Sequence, residues 1–196
     1  MDFAELETSS AAIKTFQVMF VPGMLQTAAY TRALFAAGEP NAEPALFDRY
    51  VQFRQRRKQV LTGDSPPQFH AVIHETAIRM SFVGVDVLRE QLEHLIEMAL
   101  MPHVHIQIMP LAAPVFPAVD KPFVIYDPGL SELSTVHVEH PVSTAFLSEQ
   151  SYLAQYADAF DRLTSSALAP LDPKSEPGVF AKRDSIGLIQ HLLYLL

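Results

Sequence analysis

Val85-Asp86-Val87-Leu88-Arg89-Glu90-Gln91-Leu92-Glu93-His94-Leu95-Ile96-Glu97-Met98-Ala99-Leu100 is followed, three residues on, by Val104-His105-Ile106-Gln107-Ile108-Met109. In the first run Val85, Leu88, Leu92, Leu95, Ile96 and Ala99 recur at the three- and four-residue spacing of one helix face. In the second, Val104, Ile106 and Ile108 alternate with His105 and Gln107, as in a half-buried strand, and Pro110 ends the run. Helix and strand periods therefore stand side by side in one chain.

Working outward, the same two periods recur. Thr15 to Phe20 alternates like a strand and stops at Val21-Pro22-Gly23, and Met24 to Ala37 suits a helix ended by Gly38. Glu43 to Leu61 is a second helix, with Arg54, Arg56, Arg57 and Lys58 crowding its C-terminal turns, where cations complement the helix dipole. Phe69 to Ile73 is a strand and Glu75 to Met80 a short helical turn. Beyond Met109, a proline-marked loop covers Leu111 to Pro122. Phe123 to Tyr126 and Ser134 to Glu139 read as strands, Ser148 to Leu168 as a helix, and a Leu/Ile-rich helical segment runs to Leu196. Runs of strands and runs of helices in this order predict an α+β domain, a small mostly antiparallel sheet packed with several helices, helical toward its C-terminus.

Composition narrows the function classes. The 196 residues are 49% hydrophobic and 18% charged, enough for one domain with a sizeable core. A formal charge of −8 argues against a free-standing nucleic-acid binder, which needs a basic stripe. Cysteine is absent, which excludes disulfides, thiolate metal sites and a cysteine nucleophile. The chain opens with acids rather than a basic signal-peptide start, and its apolar runs fall short of the roughly 20 residues that span a bilayer. A cytoplasmic location and no membrane contact are expected.

No Gly-rich phosphate loop, dinucleotide fingerprint or Gly-x-Ser-x-Gly elbow is present. His74-Glu75 begins like a zincin motif, but Ile78 stands where the second histidine belongs. His137, Glu139 and His140, with His103 and His105 on another strand, supply ligand types but read as half-exposed strand residues. Neither a metal nor a cofactor is expected. Arg54 and Arg57 lie one helical turn apart and project together, and an Arg pair of this kind can fork onto a phosphate or carboxylate. Glu75 and Arg79 are spaced for an ion pair on one helix face.

A resemblance assembles from these pieces. Val21-Pro22-Gly23-Met24-Leu25-Gln26-Thr27 with Ala29-Tyr30-Thr31-Arg32-Ala33-Leu34 resembles the opening of the C-terminal domain of actinobacterial helix-turn-helix regulators of the XRE (Cro-like) type. That domain, which includes the WhiJ-like regulators, is the domain of unknown function DUF5753. Arg54 to Leu61, Pro66-Pro67 with His74 to Arg79, Gln91 to Leu95, Val104 to Pro110, Val138-Glu139 and Phe160 to Leu163 match further family motifs in order. Lys58, in place of the usual Gln, and Ala112 to Pro117, in place of a Gly-rich loop, depart from the pattern.

The resemblance implies a regulatory domain over residues 15–196, preceded by a helix or linker over 1–14, with the helix-turn-helix part absent from this sequence. Such a domain binds a small-molecule signal or a small partner protein, and it meets DNA only through the helix-turn-helix part. Arg54, Arg57, Glu75, Arg79 and Gln91 are the polar groups expected at its site. The alternative is a nucleotide-modifying, ADP-ribosyl-transfer-like enzyme with Glu139 as the acid and Arg54 or Arg57 as phosphate anchor. The Leu-rich C-terminal segment is expected to be core or the contact of a homodimer.

Overall fold

The computed structural model describes residues 3–113, 119–140, 143–174 and 184–196. In chain order its elements are α1 (Phe3–Ser9), β1 (Ala12–Gln17), α2 (Ala28–Gly38), α3 (Pro44–Lys58), β2 (Gln68–His74), α4 (Glu75–Arg79), α5 (Val85–Met98), β3 (Val104–Met109), β4 (Phe123–Asp127), β5 (Thr135–His140), β6 (Ser143–Leu147), α6 (Gln150–Ser166) and α7 (Ser185–Leu195). Single 3-10 turns occupy Gly23–Leu25, Gln59–Leu61, Ser81–Val83 and Ser131–Leu133.

The six strands form one mixed sheet in the order β3-β2-β1-β4-β5-β6. β1 pairs with β2 and β2 with β3 in parallel, through helical crossovers, because parallel neighbours cannot be joined by a tight turn. The other pairings, β1–β4, β4–β5 and β5–β6, are antiparallel. The fold is α+β, as expected, with β1 as the seam between a parallel and an antiparallel half.

Both faces of the sheet are covered. On one, Ile13, Phe69, Ala71, Ile73, Ile106, Ile108 and Tyr126 pack with Tyr30 of α2, Leu88, Leu92 and Leu95 of α5 and Ile186, Ile189 and Leu192 of α7. On the other, Phe16, Val72, Phe123, Ile125, Val136 and Val138 pack with Leu153, Phe160 and Leu163 of α6. Burial on two faces extends to the α6 side of β2 and β3, where Val72 and Gln107 are buried as well, although the sequence alternation of β3 suggested a half-buried strand. Each fully buried aliphatic or aromatic side chain contributes roughly 1.5–3 kcal/mol.

Several boundaries differ from the sequence reading. β1 begins at Ala12, and Val18 to Phe20 lie beyond its end, so the alternation continues past the last ladder pair. Of the expected helix or linker over 1–14, Phe3–Ser9 form the helix α1, which packs with Leu6 against the core and Glu7 1% exposed, while Ala12 to Lys14 already belong to β1. β6 went unread because its burial pattern has no clean alternation, as befits the last strand of the sheet. Part of the expected C-terminal helical segment, residues 175–183, lies outside the described residues, as do 114–118 of the proline-marked loop. The Leu-rich stretch is largely core: Ile186, Ile189 and Leu192 are buried, while Tyr194 and Leu195 are exposed.

Candidate functional site

The Val21-to-Thr27 segment is held by side chains from every side. Pro22 precedes the 3-10 turn at Gly23–Leu25. Gln26, 2% exposed, donates from Nε2 to the Val21 carbonyl at 2.7 Å. The Gln26 Oε1 accepts from Arg54 at 2.7 Å and from the Thr31 hydroxyl at 3.2 Å. Thr27 caps α2, its hydroxyl accepting the Tyr30 N–H at 3.1 Å. Gln91 of α5, wholly buried, clamps the turn from below: its Oε1 accepts the Thr27 N–H and its Nε2 donates to the Leu25 carbonyl, both at 2.8 Å. Gln91 therefore satisfies two backbone groups that would otherwise be buried without partners, and it presents nothing to a ligand.

α3 starts with Pro44, ends in Arg56, Arg57 and Lys58, and buries no residue of its own, so it lies on the outside of the domain. Its half-buried Arg54 and Arg57 nonetheless reach inward. Arg57 forks onto the buried Glu7 carboxylate, Nε donating at 2.9 Å and a second nitrogen pairing with the other oxygen. The same guanidinium lies 5.3 Å from the Phe3 ring centroid and 5.6 Å from that of Phe53. α1 is thereby tied to α3 by the bidentate geometry that arginine alone supplies.

Arg54 is different. Its guanidinium sits 5.1 Å from the Phe35 ring centroid. Among the described residues its one hydrogen bond goes to the neutral Gln26 amide, and no carboxylate lies within ion-pair distance. Burial, and after it the like charge of Arg57, work against the Arg54 cation, with Glu139 and Glu7 partly offsetting them.

Beneath α1, His137 of β5 meets Phe3 edge-on at 4.7 Å between ring centroids and Phe146 of β6 at 5.2 Å. It is 7% exposed, not half-exposed as its strand pattern suggested, and its Nε2 has no hydrogen-bond partner among the described residues. Burial pushes the imidazole pKa down; Glu139 opposes the shift and Arg57 adds to it. Tyr126 of β4 is buried nearby, its phenol pushed up first by burial and then by the Glu7 charge. The charges of α1, α3 and β5 thus converge over the antiparallel half of the sheet.

Of the sequence-derived residues, Arg54 and Arg57 belong to this cluster, and Gln91 underpins it through the 25–27 backbone. Glu75 and Arg79 do not join it. Glu75, 6% exposed, accepts from Arg79 at 2.5 Å and from the Leu111 N–H at 2.7 Å, pinning the loop that leaves β3. Glu139 lies within electrostatic reach of Arg54, but its side chain is exposed. Sequence reasoning missed Glu7 and His137 as members. Glu7 stands four residues after Phe3, on the same helix face, which is the signal that marks it.

Among the described residues no three His, Asp or Glu side chains gather where a metal ion could be held. His105 and His137 even lie on opposite faces of the sheet: His105 is in register with His70 and Lys14, on the α6 side, and His137 is on the α1 side. No helix among the described residues is long and apolar enough to cross a membrane. No curated protein and no solved structure matches the chain. Residues 1–173, from α1 through the end of α6, match one family, and on that match the chain belongs to DUF5753, a domain of unknown function.

Proposed function

We propose that the chain is a regulatory domain that binds a small-molecule signal or a small partner protein at the α1–α3 cluster, biasing the helix-turn-helix domain that regulators of the XRE type carry. Arg54 carries this reading: a half-buried cation whose hydrogen bond, among the described residues, goes to a neutral amide, with its carboxylate neighbours there out of ion-pair range. Such a cation is a ready anchor for a carboxylate or phosphate. α1 supports it as the transmitting element, because its docking depends on the Glu7–Arg57 fork. An anion arriving at Arg54 competes with Glu7 for the neighbouring Arg57, so the docked and released states of α1 bind it with different affinity. That difference is what regulation requires. The enzymatic alternative needs Glu139 turned into a cleft, and its exposure favours binding over catalysis.

Thermal denaturation with phosphate, dicarboxylates, nucleotides and an acidic peptide as probes tests the reading. At a hundred times its Kd a true ligand stabilises by about 2.7 kcal/mol. For a domain of this size that raises Tm by about 5–10 °C. Arg54→Gln, which leaves Glu7 paired, should remove the gain. No shift with any probe, or a shift kept in Arg54→Gln, refutes the site.

A further inference from the structure

On the opposite face of the sheet, α6 does not seal the antiparallel half. A cleft of about 270 Å³ opens between its first turns and strands β1 and β4, lined by Ala12, Lys14, Ile125, Asp127, Leu153 and Ala157, among others. Small side chains make the space: Ala12 rises from β1, and Ala154 and Ala157 face it from α6. The volume lies near the lower end of small-molecule sites.

The floor carries two opposite charges that do not pair. In the β1–β4 register Lys14 faces Ile125 and Ala12 faces Asp127, so Lys14 and Asp127 are diagonal neighbours on one face, about 7–8 Å apart. No ion pair joins them. Lys14 instead leans to 5.6 Å from the Phe160 ring centroid, and it has no carboxylate partner among the described residues. Asp127, which lines the cleft, is fixed through Oδ1, which accepts the Gly129 N–H at 2.9 Å and the Ser134 hydroxyl at 3.3 Å. Ile125 and Leu153, both 9% exposed, and Ala157 supply an apolar wall beside the charges.

We infer that this cleft binds a free α-amino acid with a small or medium apolar side chain. Its carboxylate pairs with Lys14, its ammonium with Asp127, and its side chain lies against Ile125, Leu153 and Ala157. A ligand with one charge leaves the other floor residue unanswered, which is why the cleft selects a zwitterion. The site is separate from the α1–α3 cluster, on the far side of the sheet, and does not depend on that reading.

Isothermal titration of the full chain with L-leucine, L-valine and L-methionine tests the assignment, against N-acetyl-L-leucine and L-leucinamide, each of which lacks one charge. At least one free amino acid should bind, and both blocked forms should bind at least about tenfold more weakly. Lys14→Met and Asp127→Asn should each weaken binding by a similar factor. Ala157→Leu, which fills the cleft without touching the charges, should abolish it while the circular dichroism spectrum stays unchanged. Ala154→Leu provides the same obstruction from a more exposed position should Ala157→Leu not fold. Absence of heat with all three amino acids, equal binding of either blocked form, or binding kept by a folded, filled variant overturns the assignment.

Discussion

Replacing Arg57 with alanine leaves the Glu7 carboxylate with its fork removed in a place where water hardly reaches. The two side chains are 17% and 1% exposed, so solvent screens the pair little. Breaking a buried pair by removing one partner typically costs about 3–5 kcal/mol, because the remaining charge keeps its desolvation cost without compensation. The guanidinium's stacking on Phe3 and Phe53 adds up to about 2 kcal/mol more. α1 is only seven residues long and holds the sheet through Phe3, Leu6 and Glu7, so releasing it is the cheaper escape. The whole domain need not unfold to relieve the charge.

Arg57→Ala should therefore lower the exchange protection of the α1 amides by about two orders of magnitude or more, at about 1.4 kcal/mol for each factor of ten. Protection in β1 to β3 should barely change. Hydrogen exchange followed by mass spectrometry reads both in one experiment. Removing both charges together, in Glu7→Leu with Arg57→Met, should restore most of the protection. Unchanged α1 protection in Arg57→Ala, or a double variant no better than the single one, refutes the reasoning that the fork holds α1.

Gln91→Leu should cost about 2–4 kcal/mol in urea denaturation, since the Leu25 carbonyl and Thr27 N–H lose their partner inside the core; a loss under about 1 kcal/mol would mean that water replaces the amide. Stability should also fall on acidification. Burial holds the folded pKa values of His70 and His137 below the unfolded value of about 6.5. The unfolded chain then binds more protons below that pH, so the urea midpoint should stay level near pH 8 and drop from about pH 6.5 toward 5. His137→Phe should flatten part of the drop, and a midpoint that rises on acidification contradicts the assignment. Ile189→Ala, at a fully buried position on α7, should cost about 2–5 kcal/mol if that helix is core rather than a detachable interface.

How much of this was legible depends on the range of the interaction. α5, α6 and β3 follow from periodicity because each places one apolar face toward a continuous core, and that demand is written every two or every three to four residues. The Arg54/Arg57 pair was legible as a charge cluster on one helix face. Its partners were not, because Glu7 lies 50 positions away in sequence and nothing local joins them. Gln91 looked like a polar residue offered to a ligand. It is in fact the internal partner of a turn 64 positions upstream, and only burial tells the two roles apart. Glu75 read correctly as the ion-pair partner of Arg79, but its second bond, to the Leu111 N–H, depends on where β3 ends.

By itself the sequence determined the segments and their faces: mixed helix and strand, an acidic cysteine-free chain, and the motif series that places it in its family. Those are consequences of local sterics and of apolar spacing, which neighbouring residues impose on one another. The tertiary structure decided the rest. It set β1 at the seam of two half-sheets, closed Glu7 onto Arg57, buried His137 beneath Phe3, and left Lys14 and Asp127 unpaired across a cleft. Strand order and burial depend on which distant surfaces meet, and charge acquires its functional meaning only after those meetings fix how much water remains around it.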